Sequence, residues 1–312
     1  MRFRQLGNSG LTVSEVGLGC NNFGVRCDLE TSRGVIFEAL DMGINLFDTA
    51  DIYGGKGGSE TFMGKILKDR RDEVVLASKF GMEMGTGDIA LGSRRYIRRA
   101  VEASLRRLQT DHLDLYQLHK PDPHTPIEET LSALDDLVRD GKILYIGSSN
   151  FSGWQIVQGD YVAKEMGSSR FISAQNLYSL LERDVETEVL PACNEFDIGF
   201  LPFFPLASGL LTGKFKRGEQ PLQGTRLSSR PEEIEGANFD LIEALEGFAE
   251  QRGMKILDLA FAFLLASSEV SSVIAGATST AQVRANVETQ KHVLSDPDLL
   301  ELRALLKEHS SK

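Results

Sequence analysis

Residues 113–147 read LDLYQLHKPDPHTPIEETLSALDDLVRDGKILYIG, and the fold class follows from this segment. Its two ends, Leu113–His119 and Ile143–Gly147, are short apolar runs typical of strands buried on both faces. Between them, Ile127–Arg139 has apolar residues spaced by three and four, acidic residues in its first turn and Gly141 just beyond its end, which predicts a helix. The segment is therefore one strand–helix–strand unit of a parallel sheet.

The same alternation of apolar runs and amphipathic segments extends along the whole chain. Further helices are predicted at Arg33–Met42, Ser93–Leu108 and Pro297–Glu308. The remaining predicted strands are Glu15–Gly19, Ile44–Asp48, Val74–Lys79, Phe171–Gln175, Ile198–Phe203 and Ser272–Ala275. Eight strands without a Pro/Gly-rich linker favour one α/β domain over residues 1–312, a single (β/α)8 TIM barrel. The alternative, a doubly wound sheet, usually has fewer strands.

Three segments outside this alternation are predicted to decorate the barrel. Phe3–Leu6 and Leu11–Ser14 form a β-hairpin that caps the bottom of the barrel. Phe215–Asn238 is rich in Gly, Pro, Ser and charge and is predicted to be a structureless loop over the C-terminal ends of the strands, where barrel enzymes work. Two extra helices are expected at the C-terminus.

Composition limits the classes of partner. The formal net charge of −11 argues against nucleic acid and anionic membranes, because phosphate groups require a basic face. The three cysteines, Cys20, Cys27 and Cys193, have no paired spacing, and no Cys/His cluster has metal-ligand spacing. The chain has no signal-peptide apolar region and no apolar run near the ~20 residues of a membrane span. We therefore expect a cytoplasmic protein without a metal, and neither the patterning nor the charge indicates an oligomeric state.

Three common catalytic or nucleotide-binding motifs are absent. Gly17–Asn22 begins like a dinucleotide fingerprint but has Asn22 where the third glycine belongs. Gly209–Phe215 has three residues instead of four between its glycines, and Phe215 follows the lysine, so it is not a phosphate-binding P-loop. No Gly-x-Ser-x-Gly elbow of a serine hydrolase occurs.

Polar residues cluster at the ends of three consecutive predicted strands. Asp48 and Tyr53 follow the second strand, Lys79 ends the third, and His119 ends the fourth. Each alone could be a helix cap, a loop residue or a satisfied core residue. In a barrel, however, these strand ends are neighbours, so four titratable groups would converge above an apolar interior. This arrangement is typical of an active site.

These residues match a known family in order and spacing. Asp48–Gly54 reads Asp-Thr-Ala-x-x-Tyr-Gly, Lys79 ends the third strand, and Leu118–His119 ends the fourth. The chain resembles, over essentially its whole length, the aldo-keto reductases, which are (β/α)8 enzymes that reduce carbonyls with NADPH. It is most similar in motif to the branch with potassium-channel β subunits and bacterial members.

The resemblance implies a mechanism for these four residues. Tyr53 would give its phenolic proton to the carbonyl oxygen as hydride arrives from nicotinamide C4. Lys79, held by Asp48, would lower the pKa of that phenol, which is ordinarily about 10. His119 would donate a hydrogen bond that orients the carbonyl. The implied activity is reversible, NADPH-dependent reduction of aldehydes and some ketones.

The resemblance also implies contacts to NADP(H), with NAD(H) as an alternative cofactor. Ser149, Asn150 and Gln175 would bind the carboxamide, and Phe203 would stack on the nicotinamide. The segment over the pyrophosphate would include Leu206, Gly209 and Lys214, with Lys216 and Arg217 as candidates to assist. The adenosine 2′-phosphate and adenine would be held by Gly276, Ser279, Gln282 and Asn286.

The sequence departs from the family pattern at several cofactor positions. Phe204 stands where serine is usual, Gln282 where arginine is frequent, and Ala285 where glutamate is frequent. Arg284 is a candidate substitute for the missing arginine. The chain ends soon after its last predicted helix, which favours an open substrate pocket.

Two other functions remain as alternatives. A cofactor-binding regulatory subunit would keep the barrel and turn over slowly, but no coiled-coil or amphipathic extension is present to recruit a partner. A barrel isomerase or lyase would need the matches at Asn150, Gln175 and Gln282 to be coincidental.

Overall fold

Eight parallel strands form the wall of a barrel in the computed structural model, which describes residues 1–219, 221 and 223–309. They are β3 (Val16–Gly19), β4 (Leu46–Asp48), β5 (Val75–Phe80), β6 (Leu113–Leu118), β7 (Ile143–Ser149), β8 (Phe171–Gln175), β9 (Gly199–Phe200) and β10 (Val273–Gly276). Neighbours in sequence pair with each other from β3 to β9, and β10 pairs with β3. Parallel bridges between Phe200 and Val270 and between Phe203 and Ile274 connect β9 back to β10. The predicted (β/α)8 barrel is confirmed.

Helices surround the strands. Those that alternate with the strands are α1 (Leu29–Asp41), α2 (Tyr53–Leu67), α3 (Arg94–Leu108), α4 (Ile127–Arg139), α5 (Gly153–Met166), α6 (Val189–Glu195), α9 (Ile256–Leu265) and α10 (Thr280–Glu288). The others are α7 (Pro231–Glu235), α8 (Phe239–Glu250) and α11 (Asp296–His309). Helices α8 and α11 pack against each other. Two extra helices were predicted at the C-terminus; of these two helices, α11 follows α10, whereas α8 precedes β10 in the chain. Short 3-10 turns span Arg71–Glu73, Asp184–Glu186, Ala207–Thr212, Leu227–Ser229 and Thr289–Lys291.

The predicted boundaries agree best where helix or strand signals were complete. The helix Ile127–Arg139 and the strand Phe171–Gln175 span the predicted residues. The predicted strand Ile198–Phe203 is shorter, because only Gly199–Phe200 has regular pairing. Beyond it, single bridges replace a continuous ladder, including one from Leu177 to Phe203.

The N-terminal hairpin closes the bottom of the barrel. Strands β1 (Phe3–Gln5) and β2 (Thr12–Ser14) pair antiparallel. Leu6 and Val13 are fully buried in the same cluster as barrel side chains such as Leu46 and Leu115. Gly7 makes this docking possible because its φ is +57° and a Cβ there would lie 2.5 Å from the carbonyl oxygen of Ile172.

The predicted loop Phe215–Asn238 is partly helical. It contains the 3-10 turn Leu227–Ser229 and helix α7, so the expectation of a structureless segment is wrong for these residues. Gln220 and Leu222 lie outside the described residues. Residues 223–226 line the cavity at the C-terminal ends of the strands, as expected for this loop.

The three cysteines are buried and unpaired. Within the described ranges, no helix combines the length and apolar character needed to span a membrane.

Candidate active site

A cavity of about 720 Å³ opens at the C-terminal ends of the barrel strands. Three of the four predicted catalytic residues line it, namely Asp48, Tyr53 and His119. The predicted cofactor residues that line it are Ser149, Asn150, Gln175, Phe203, Leu206, Gly209, Lys214, Gly276, Gln282 and Asn286. The structure therefore brings predicted residues from six different strand ends to one cavity. Lys79 and Ser279 are not part of its lining.

Lys79 lies behind the cavity wall in a buried ion pair. Its side chain is fully buried, and its Nζ donates hydrogen bonds to Asp48 Oδ2 at 2.6 Å and to the carbonyl oxygen of Thr49 at 3.0 Å. Burial alone would lower the pKa of the ammonium, but the charge of Asp48 and the phenol of Tyr53 outweigh burial and raise it. Lys79 is therefore a cation at neutral pH.

Asp48 is held by amide groups as well as by Lys79. Gln117 Nε2 and Gln175 Nε2 donate to Asp48 Oδ1 at 3.2 and 2.9 Å. Hydrogen bonds to both carboxylate oxygens fix the group that orients the Lys79 ammonium. The contact from Gln117 was not predicted, although Gln117 lies on β6 two residues before His119, a spacing that places both side chains on the same face of the sheet.

Tyr53 begins helix α2, just before an unusual turn. The backbone of residues 54–57 is left-handed at four consecutive positions, and three of these are glycine. A Cβ at Gly54 would lie only 2.3 Å from the backbone nitrogen of Ser59. This turn places the phenol ring 5.0 Å from Lys79 Nζ and 5.7 Å from the His119 ring, measured to ring centroids.

The pKa of Tyr53 corrects one part of the sequence interpretation. Burial of the phenol raises its pKa above the ordinary value of 10, and the charge of Lys79 only partly opposes that rise. Lys79 lowers the pKa of the phenol, as expected, but the pKa does not fall below its ordinary value because burial of the ring outweighs the charge of Lys79. The charge of Asp48 adds to the rise.

His119 is neutral in this environment. Burial, together with the charges of Lys79 and Lys120, lowers its pKa to about 3. Its backbone carbonyl accepts a hydrogen bond from Asn150 Nδ2 at 2.9 Å, while its buried Nδ1 has no partner among the described residues. A neutral imidazole carries one N–H, so one ring nitrogen is a donor and the other an acceptor.

The side chains predicted to hold a carboxamide form one hydrogen-bonded group. Ser149 Oγ donates to the carbonyl oxygen of Gln175 at 2.8 Å and accepts from Asn150 Nδ2 at 3.1 Å. Asn150 has a left-handed φ of +58°, which turns the chain at the end of β7. Within the described residues, no hydrogen bond occupies Gln175 Oε1 or Asn150 Oδ1. Two amide oxygens are thus free to accept from a ligand.

The far end of the cavity is built by the segment after β10. Ser279 caps α10 by accepting a hydrogen bond from the backbone N–H of Gln282 at 3.3 Å. Gln282 Oε1 accepts from the backbone N–H of Thr278 at 2.7 Å. Arg284 forms a two-pronged ion pair with Glu38 on α1 and does not line the cavity. It is therefore not in place to substitute for the arginine that Gln282 replaces.

The three basic residues after β9 divide into two groups. Lys214 lines the cavity, and no hydrogen bond or ion pair engages it within the described chain. Lys216 is paired with Glu246, and Arg217 with Asp240 and Glu243, all on α8. The structure thus places Lys214 at the cavity and directs its two neighbours away from it.

Several cavity residues were missed by sequence reasoning. Arg226 donates to Asn21 Oδ1 and Asn22 Oδ1 at 3.3 and 3.2 Å, and its guanidinium lies 4.9 Å above the ring of Phe204. Arg26 donates to the carbonyl oxygen of Gly224 at 2.7 Å. Asn21 and Asn22 could have been found, because they follow β3 at its C-terminal end. The irregular loop around Arg226 offers no periodic signal.

These contacts join the loop after β3 to the loop after β9. They form a strap across the cavity, residues 223–226, attached to Asn21, Asn22 and Arg26. Burial, together with the nearby charge of Arg26, lowers the pKa of Arg226. Two guanidinium groups at one edge of the cavity make that edge suitable for an anionic ligand.

The chain is similar in sequence to a known protein family and to several known proteins. The model of the aldo/keto reductase family matches residues 15–307. An uncharacterised oxidoreductase of Bacillus subtilis (strain 168) is 40% identical over 299 residues, which cover 92% of this chain and 90% of the relative. An L-glyceraldehyde 3-phosphate reductase of Escherichia coli (strain K12) is 34% identical, covering 92% and 87%. A probable voltage-gated potassium channel subunit beta of Oryza sativa subsp. japonica is also 34% identical, covering 92% and 90%.

Proposed function

The chain belongs to the aldo/keto reductase family, and from this premise we propose that it is an NADPH-dependent reductase of aldehydes and some ketones, with Tyr53 as the general acid. The family and its oxidoreductase relatives make the chain an oxidoreductase. One observation carries the finer proposal: Tyr53 and His119 line the cavity directly in front of the buried Lys79–Asp48 pair. A cavity with this composition can hold and deliver a proton.

Tyr53 supplies the proton in this proposal. Its raised pKa keeps the phenol protonated at neutral pH, so the proton to be donated is always in place. After donation, the phenolate faces the Lys79 ammonium, whose charge stabilises it. The Lys79–Asp48 pair thus stabilises the phenolate formed after proton transfer more than it affects the protonated phenol of Tyr53.

His119 orients the carbonyl group. Because its pKa is about 3, it remains neutral through the physiological range and does not compete with Tyr53 as an acid. A neutral imidazole still donates one hydrogen bond, which would polarise the carbonyl oxygen beside the phenol. Both rings pack edge to face, which fixes their relative direction.

The cavity fits a nicotinamide dinucleotide. The free oxygens of Gln175 and Asn150 match the N–H donors of a carboxamide, and Phe203 offers an aromatic face beside them. Lys214, Arg26 and Arg226 offer cationic partners for phosphates, and α10 begins at the far end, where its backbone N–H groups favour an anion. When bound, the cofactor supplies the hydride that reduces the carbonyl carbon.

Positive charge along the cavity favours NADPH over NADH. Lys214 lines the cavity and has no hydrogen bond or ion pair within the described chain, whereas Gln282 uses its oxygen on Thr278 and Arg284 is paired with Glu38. We therefore propose that the preference for NADPH comes from the combined charge of Lys214 and the arginines of the strap, and not from a residue placed on the 2′-phosphate. NAD(H) remains usable, since Gln282 stands in place of the arginine that would bind that phosphate.

The test is a single-turnover reaction of NADPH with a reactive aromatic aldehyde, followed by cofactor absorbance. Tyr53→Phe is expected to slow hydride transfer by roughly 10²- to 10⁴-fold, because the general acid is lost. Cofactor affinity, measured by fluorescence, should change little. Tyr161→Phe, which alters an exposed tyrosine on α5, serves as the control and should react normally.

The outcomes separate the main proposal from its alternative. Near-normal turnover in Tyr53→Phe would overturn the assignment of the general acid. Tight NADPH binding with no turnover by the wild type, across a panel of aldehydes and ketones, would favour a regulatory subunit. The observation that supports this alternative is the name of the rice relative, a probable voltage-gated potassium channel subunit beta.

A further inference from the structure

A buried polar cluster lies beneath the loop that carries Tyr53. Asp51, two residues before Tyr53, is 1% exposed, and neither of its carboxyl oxygens has a hydrogen-bond partner among the described residues. The hydroxyl of Tyr116 on β6 is also buried and unpartnered. A carboxylate without donors in such a site is costly, whereas a protonated carboxyl group is tolerated. The mechanism proposed above uses neither group.

The charges around Asp51 come from each element packed against it. Glu60 on α2 is fully buried and accepts hydrogen bonds from Ser78 and from Arg107 on α3, at 2.5 and 2.7 Å. Arg107 is therefore already committed to Glu60. The other titratable groups that face Asp51 are Lys79 on β5, Tyr96 on α3 and Tyr116 on β6.

The backbone links Asp51 to the catalytic pair. The N–H of Asp51 donates to the carbonyl oxygen of Lys79 at 3.1 Å. Lys79 Nζ in turn donates to the carbonyl oxygen of Thr49. The segment 49–53 is thus fastened to β5 immediately beside the ammonium that faces Tyr53.

We propose that Asp51 is a positioning residue for carbonyl reduction: its protonation in the cluster with Glu60 and Tyr116 sets the charge balance around Lys79, and thereby the acidity of Tyr53. This inference rests on the proposed function, since it concerns the acid named there. With Asp51 neutral, Lys79 is balanced by Asp48 alone. With Asp51 ionised, two carboxylates oppose one ammonium, and the phenol becomes a weaker acid.

The protonation of Asp51 changes in the neutral pH range. Burial, together with the nearby carboxylate of Glu60, raises the pKa of Asp51 from 3.8 to about 7. The charges of Arg107 and Lys79 oppose this rise. Because ionisation occurs near pH 7, its effect on Tyr53 falls within the range in which the reductase can be assayed.

The first experiment measures the single-turnover rate of carbonyl reduction against pH in the wild type and in Asp51→Asn. As pH rises, the wild-type rate should fall in a step near pH 7, by roughly threefold to tenfold, which is the size of effect expected when one negative charge appears near Tyr53. Asp51→Asn cannot ionise and should stay on the low-pH plateau. A step that persists unchanged in Asp51→Asn overturns the proposal, as does the absence of a step in the wild type.

A second pair of variants tests the cluster without changing Asp51. Glu60→Gln removes the carboxylate that raises the pKa of Asp51, so the step should move to lower pH. Arg107→Gln removes a cation that lowers it, so the step should move to higher pH. Opposite shifts support the proposal, and no shift or shifts in one common direction overturn it. A merely structural role for Asp51 would not predict this pair.

A measurement independent of activity separates this proposal from the assignment of Tyr53. A carboxyl group whose pKa is raised on folding stabilises the protein at low pH, and that stability is lost as pH rises through the folded pKa. The urea midpoint of the wild type should therefore fall between pH 5 and pH 8 by more than that of Asp51→Asn. Equal decreases overturn the claim about Asp51, whereas normal turnover in Tyr53→Phe overturns only the proposed function.

Discussion

Replacing Asp48 with asparagine removes the charge that balances a fully buried ammonium. In the native protein, Asp48 accepts from Lys79 at 2.6 Å, from Gln175 at 2.9 Å and from Gln117 at 3.2 Å. Asparagine preserves the shape of the side chain but not its charge. Lys79 would then keep neutral partners, such as the carbonyl oxygen of Thr49, but no carboxylate to balance its charge. Asp48→Asn is therefore expected to destabilise the fold.

The size of the effect is limited by the chemistry of Lys79. Breaking a buried ion pair typically costs about 3–5 kcal/mol. Lys79 can escape this cost by losing its proton, which at pH 7 takes about 5 kcal/mol for an ordinary lysine pKa of 10.5. The limit falls to about 2 kcal/mol at pH 9. The destabilisation should therefore be large at pH 7 and smaller at pH 9.

The wild type should show no corresponding change over this range. Because the pKa of Lys79 is raised in the folded state, the stability from its pairing is present below the unfolded pKa and is lost only as pH rises through the folded pKa. Both values lie above pH 9. If the difference in the free energy of unfolding between the wild type and Asp48→Asn is smaller at pH 9 than at pH 7, the change therefore reflects the variant alone.

The assay is thermal unfolding followed by circular dichroism at both pH values. A loss of 3–5 kcal/mol corresponds to about 5–8 °C in the unfolding midpoint for a chain of 312 residues. Asp114→Asn is the matched control, since Asp114 pairs with Arg71 in a partly exposed site. Arginine stays charged, so the control should cost about 1 kcal/mol at both pH values. This reasoning would be refuted if Asp48→Asn were as stable as the wild type, or if the difference in unfolding midpoint between the two proteins were the same at pH 7 and pH 9.

Three further predictions follow from the cavity. Lys214→Gln should weaken NADPH binding by roughly tenfold in a fluorescence titration at low salt, whereas Lys216→Gln, whose lysine is paired with Glu246, should not. His119 should show no imidazole titration between pH 8 and pH 5 by NMR, because its pKa is about 3; a midpoint near 6.5 would contradict its burial. Gly54→Ala should lower the unfolding midpoint and the turnover rate together, because a Cβ there meets the Ser59 nitrogen at 2.3 Å; unchanged turnover would show that the turn does not place Tyr53.

Much of the barrel could be predicted from local patterns. The strand Phe171–Gln175 and the helix Ile127–Arg139 have complete signals, since buried strands and amphipathic helices differ in period and in end residues. The strand prediction was wrong beyond Phe200, because the contacts there are single bridges to distant residues such as Ile274. No local period records such pairings. The helical turns within residues 215–238 were missed for another reason: they span 3 and 5 residues, too few to display a helical period.

The residues of the site could be predicted from the sequence only in part. Asp48, Tyr53, Lys79 and His119 could be identified because each stands at a strand end, and parallel strand ends meet on one face. The binding partners of those residues could not. That Gln117 holds Asp48, and that Arg226 crosses to Asn21, depends on side chains far apart in the chain.

Residue types and their spacing determined the barrel, the four polar groups at its mouth and the family resemblance, because these follow from period and order along the chain. The tertiary structure decided the electrostatics. The pKa of Tyr53 lies above its ordinary value because burial and the charge of Asp48 outweigh the effect of Lys79, and this balance arises only after folding. Asp51 occupies an unspecified position of the motif in the sequence, and it becomes a buried acid without a hydrogen-bond partner among the described residues because α2, α3 and β6 close around it.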